Sequence, residues 1–179
     1  MRPAAESPLV KRSLTLPEGM RGKLNLLRDS TEAASDSEIV RKALMYYEQL
    51  LEDHDRGREL FVRDAAGEEI IYPIGDETTD ATTEAGSTFV RRHLILHEKS
   101  ARRLDALRAS TNAPSDSELV RAALALYEFL VVNALKGNRL VVRDNKSKRE
   151  TEYFVPVSRA AEPRVRGRHM QILAKLRFG

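Results

Sequence analysis

The side chains best suited to act on another molecule fall in two short stretches. In one, Lys11, Ser13 and Thr15 alternate with Arg12, Leu14 and Leu16; in the other, Arg91, His93 and Ile95 alternate with Arg92, Leu94 and Leu96. Successive side chains of an extended segment point to opposite faces. Each stretch therefore gathers polar or cationic groups on one face and leucines on the other. This is a pattern of hydrogen-bond donors and acceptors on a surface, not of a reaction centre. Cys is absent, which excludes disulfides and thiolate metal sites. His93 and His97 are four apart, but across a strand end with no third ligand, so they read as surface residues. Gly19-Met20-Arg21-Gly22-Lys23 lacks both the spacing and the strand-loop-helix setting of a phosphate loop. No nucleophile triad emerges. The expectation is a protein that is not an enzyme, with no metal and no cofactor.

These stretches belong to an internal repeat. Ser35-Asp36-Ser37-Glu38-Ile39-Val40-Arg41 recurs as Ser115-Asp116-Ser117-Glu118-Leu119-Val120-Arg121, an offset of 80 residues. At that offset the copies align without a gap from Val10/Val90 to Asp64/Asp144, with roughly half the positions identical. The implied organisation is an N-terminal arm (1–9), a first repeat with hairpin (10–74), a flexible acidic linker (75–87), a second repeat with hairpin (88–157) and a basic tail (158–179) carrying Arg164, Arg166 and Arg168. Net charge is +3 and the sequence pI is about 9.3, compatible with a nucleic-acid partner without requiring one. Hydrophobic residues at 41% suffice for a packed core. No apolar run reaches transmembrane length. A cytoplasmic protein with no membrane association is expected.

Each copy reads as strand, helix, turn, helix and hairpin. Pro17 suits the first turn of helix one, whose stripe is Met20, Leu24 and Leu27, echoed by Leu104 and Leu107. Helix two opens with a capping box, Ser35 with Glu38 and Ser115 with Glu118. Its apolar face is Ile39, Val40, Ala43, Leu44, Tyr47, Leu50 and Leu51, matched by Leu119, Val120, Ala123, Leu124, Tyr127, Leu130 and Val131. Gly57 and Gly137 are its stops. The hairpins run Leu60–Asp64 to Ile70–Tyr72, and Leu140–Asp144 to Tyr153–Val155.

This order, with Arg12-Ser13-Leu14-Thr15-Leu16-Pro17-Glu18 and Ser35-Asp36-Ser37-Glu38-Ile39-Val40-Arg41-Lys42-Ala43-Leu44, resembles the ribbon-helix-helix family of Arc and MetJ type over about 45 residues of each copy. The resemblance implies a mainly α fold with short β. Two ribbon-helix-helix repeats would form an intramolecular pseudo-dimer with an antiparallel two-stranded ribbon, each repeat followed by its own β-hairpin. It also implies a ribbon lying in the major groove of DNA. Lys11, Ser13, Thr15, Arg91, His93 and Ile95 would then read bases. Arg12 and Arg92 would reach phosphates. Ser35, Asp36, Ser37, Ser115, Asp116 and Ser117, at the helix N-termini, would meet the backbone.

The expected function is sequence-specific binding of double-stranded DNA by a transcriptional regulator or repressor with an asymmetric site, with pairing of copies on DNA. Two alternatives stand beside it: an accessory DNA-binding protein of conjugation or plasmid partition, and an antitoxin-like adaptor that grips a protein partner.

Overall fold

The computed structural model describes residues 8–74 and 88–158. The linker at 75–87, the tail from 159 onward with Arg164, Arg166 and Arg168, and residues 1–7 of the arm lie outside the described residues. The element order is β1 (Leu9–Pro17), α1 (Met20–Thr31), α2 (Asp36–Asp55), β2 (Arg58–Arg63), β3 (Glu69–Tyr72), β4 (Phe89–His97), α3 (Glu98–Thr111), α4 (Asp116–Leu135), β5 (Arg139–Asp144) and β6 (Glu150–Tyr153).

Local chemistry accounts for the breaks. Ser35 and Ser115 are the N-caps of α2 and α4, their hydroxyls accepting the Glu38 and Glu118 N–H groups at 3.2 and 3.1 Å. The Glu38 carboxylate reaches back to the N–H of Ala34, one residue before the cap itself. Gly57 and Gly137 follow the two long helices at φ of 76° and 78°, a conformation that costs glycine little. Pro17 does not open α1 as its type suggests. It closes β1 opposite Phe89, and α1 starts at Met20 with Gly19 as its N-cap. The second hairpin returns through Glu150–Tyr153, three residues earlier than the apolar run Tyr153–Val155 indicates. Beyond the strand, Val155 turns into the core while Phe154 stays exposed.

The expected fold, a mainly α tandem of ribbon-helix-helix repeats each trailed by its own hairpin, is overturned. The chain is α+β: four helices and six strands in two antiparallel sheets, with about 48% of the described residues helical and 28% in strands. The two hairpins do not trail separate repeats. β2 and β5 pair antiparallel from Arg58↔Asp144 to Arg63↔Arg139, which merges them into one four-stranded sheet of order β3-β2-β5-β6. The cause lies in Leu60-Phe61-Val62 and Leu140-Val141-Val142. Both runs are apolar on both faces, and all six residues are buried. A lone hairpin would leave such a strand at an edge, with a row of unpaired backbone groups. Pairing the two satisfies the backbone and covers the side chains together.

The other sheet has two strands, β1 and β4, paired antiparallel along their whole length from Leu9↔His97 to Pro17↔Phe89. Leu14, Leu16, Leu94 and Leu96 on its inner face are at most 4% exposed and join one core with α1–α4 and the four-stranded sheet. Tyr46 and Tyr127 stack in that core with ring centroids 5.5 Å apart, and Tyr47 is buried there too. In both sheets the central partners are repeat equivalents, Ser13↔His93 and Phe61↔Val141. A local twofold therefore runs from one sheet to the other, with α2 and α4 packed against each other between them. Among the described residues no helix is long and apolar enough to cross a membrane.

Candidate nucleic-acid interface

The outer face of the β1–β4 ribbon is open to solvent. Its polar pattern follows from alternation: with the leucines drawn inward, Lys11, Ser13, Thr15, Arg91, His93 and Ile95 all turn outward and are exposed. The register arranges them in three rows, Lys11 beside Ile95, Ser13 beside His93 and Thr15 beside Arg91. The two cations lie diagonally, one at each end, and the twofold exchanges them. Ile95 is 52% exposed, an uncovered apolar group in a polar face. At the centre Ser13 Oγ and His93 Nδ1 are 3.2 Å apart. A hydroxyl pairs with an imidazole nitrogen as donor or as acceptor according to the ring's tautomer.

Arg12 and Arg92 fall at inward positions of the strands, yet both stay half-buried at the ribbon margins and ion-pair across the repeat. Arg12 donates to Asp105 at 2.7 Å and lies 3.7 Å from Asp116. Arg92 lies 3.4 Å from Asp36. Asp36 and Asp116 open α2 and α4, so each long helix begins against the strand of the other copy. Arg28, 3.6 Å from Asp36, and Arg108, 3.0 Å from Asp116, approach the same carboxylates from the ends of α1 and α3.

Of the remaining residues expected to touch phosphate, Ser35 and Ser115 have hydroxyls committed to capping. Ser117 Oγ accepts the backbone N–H of Thr15 at 2.9 Å and so stitches α4 to β1. Ser37 lines a groove of about 420 Å³ beside β4, together with Arg21, Asp36, Arg91, Arg92 and His93. Asp36 and Ser37, the first two residues of α2, thus both line this groove.

Sequence reasoning missed Arg21, Arg28, Arg108 and Asp105. Repeat equivalence marks Arg28 with Arg108, but which face of α1 or α3 turns to the ribbon is set by packing and not by spacing. Among the described residues no group of three His, Asp or Glu side chains could hold a metal ion. No protein-family model, no curated protein and no solved structure matches this chain.

Proposed function

We propose that this chain binds double-stranded DNA in a sequence-specific manner by laying the β1–β4 ribbon in the major groove, and that it acts in the cytoplasm as a transcriptional regulator. The observation that carries the reading is the solvent-open outer face of that ribbon, with three rows of base-reading side chain types over a buried leucine floor. The major groove admits a two-stranded ribbon and presents acceptors that Arg and Lys suit at guanine, together with a thymine methyl that suits an aliphatic group. Lys11 and Arg91 supply the cations, Ser13 and Thr15 adaptable hydroxyls, and Ile95 the apolar contact. Arg92, at the ribbon margin, supplies charge for the backbone, a contact that positions a protein without specifying sequence. The rows are not symmetric, so the preferred site is not a perfect palindrome.

The test is a DNA titration at fixed salt on a site selected by the protein in vitro. Lys11→Ala and Arg91→Ala should each weaken binding by about 1–3 kcal/mol and relax the base preference at one end of the site. Binding of the selected site by both variants at the wild-type affinity would remove the ribbon from DNA reading.

A second reading, an adaptor for a protein partner, is favoured by one feature. The hairpin residues Ile70, Ile71 and Phe154 are 67%, 57% and 82% exposed. Ile71→Lys leaves DNA affinity unchanged on both readings; they separate on the selection itself, since failure of the wild type to enrich any duplex would favour the adaptor.

A further inference from the structure

The two flanks of the ribbon are repeat equivalents in sequence but unequal in charge. On the first flank, Arg21, Arg28, Arg91 and Arg92 gather around the single carboxylate of Asp36, in or beside the 420 Å³ groove. The Asp36 contacts with Arg28 and Arg92 are loose, at 3.6 and 3.4 Å. Arg21 and Arg91 are exposed and, among the described residues, form no ion pair. On the second flank the equivalent of Arg21 is Ala101, which is buried, and the equivalent of Asn25 is Asp105. Arg12 and Arg108 there face two carboxylates. Asp105 holds Arg12 at 2.7 Å, and Asp116 holds Arg108 at 3.0 Å. The hydroxyl of Ser117, equivalent to groove-lining Ser37, is already bonded to Thr15.

Resting on the reading of the ribbon as the DNA-binding element, we infer that the protein grips the DNA backbone unequally: the groove around Asp36 is the principal phosphate site, and its counterpart around Asp116 is muted by Asp105. The physical reason is competition. A phosphate oxygen at Arg12 must displace a carboxylate already in close contact, and the gain of the new pair is offset by the loss of the old one. At Arg92 and Arg21 it meets guanidiniums that are loosely held or, among the described residues, without an ion pair. The groove thus favours one side of the duplex, and together with the base-reading rows it fixes which way round the protein sits.

The experiment measures affinity of the full chain for a short duplex of random sequence as a function of salt. Each phosphate contact contributes about 0.9 to the slope of log affinity against log salt. Arg92→Gln and Arg21→Gln should each reduce that slope by about one contact, while Arg12→Gln leaves it unchanged. Asp105→Asn, which places on the second flank the residue type found at Asn25, should raise the slope by about one contact by releasing Arg12. Asp105 is 47% exposed, so this exchange leaves the core intact. Circular dichroism melts establish that each variant is folded. Equal losses from Arg12→Gln and Arg92→Gln, or no gain from Asp105→Asn, overturn the inference and leave DNA reading standing. Absence of duplex binding by the wild type removes DNA reading instead. Titration with inorganic pyrophosphate, followed at the arginine Nε–H resonances, then decides the groove. Shifts at Arg21 and Arg92 but not at Arg12 retain it as an anion site; no shift there removes it too.

Discussion

At the residue scale the informative pair is Ser13 and His93. They are repeat equivalents and register partners at once, so the local twofold passes between them. Every other outward row is exchanged with another row by that axis; this one is mapped onto itself. A serine on one side and an imidazole on the other therefore break the symmetry at the one place where a twofold protein would need identity. Lys11 and Arg91 keep the same charge at the two ends, so asymmetry in base reading concentrates at the centre and at Thr15 against Ile95. His93→Ser makes the centre symmetric while removing no charged partner. Sites selected in vitro by this variant should be more nearly palindromic at the central base pairs than those selected by the wild type, with overall affinity within about tenfold. Identical central base pairs in the two selections would show that the pair does not face the bases. These residues were legible because a period of two places every second side chain on one face, whatever the partner strand. The grip of Asp105 on Arg12 was not legible. It depends on how α3 is rotated against β1, which only packing decides.

At the scale of elements the four-stranded sheet is the part the sequence left open. The hairpin strands, their turns and their apolar runs follow from local pattern. The pairing of β2 with β5 is a contact across some eighty residues with no local signal, and it is the step that turned two expected appendages into one sheet. Its outer face carries an ion network in which Arg63 and Arg143 both bind Glu69 and Glu150, two strands from each copy. Arg143 also lies over the Phe61 ring, 4.4 Å from its centroid. The two guanidiniums pull the Glu150 carboxyl from 4.5 down to about 2, and hold Glu69 below its ordinary range as well. A carboxyl whose folded pKa is depressed contributes stability that is complete above its unfolded value and is lost as pH falls toward the folded one. The window is therefore pH 4.5 down to about 2. The network is surface-exposed, so its contribution is modest and screened by salt. Urea midpoints should fall across this window in the wild type, and the fall should be smaller in Glu150→Gln. The same acid dependence in both proteins would mean that the network does not differ between folded and unfolded chains.

At the scale of the whole molecule, each copy is half of a fold. Among the described residues β1 pairs with β4 alone, α2 packs against α4, and β2 is paired to β5. Cross-copy polar contacts follow the same plan. Lys23 reaches Glu128 at 2.9 Å and Arg103 reaches Glu48 at 2.6 Å. Tyr46 donates to the Phe154 carbonyl at 3.0 Å, and the Tyr153 hydroxyl donates to the buried Asp53. A single copy would expose the leucines of its strand, the apolar stripe of its long helix and a strand edge, leaving too little buried apolar surface to offset the chain entropy of folding. Produced as separate chains of residues 1–80 and 81–179, neither half should give the helical circular dichroism of the intact protein at low micromolar concentration. Mixing them should restore it, with a one-to-one complex by mass. The asymmetric contacts, Arg12 with Asp105 and Ser13 with His93, favour the mixed pair over either half paired with itself. A half that is folded and monomeric on its own would mean that the copies are independent domains joined in series. The unequal flanks of the ribbon would then have no reason to face one duplex.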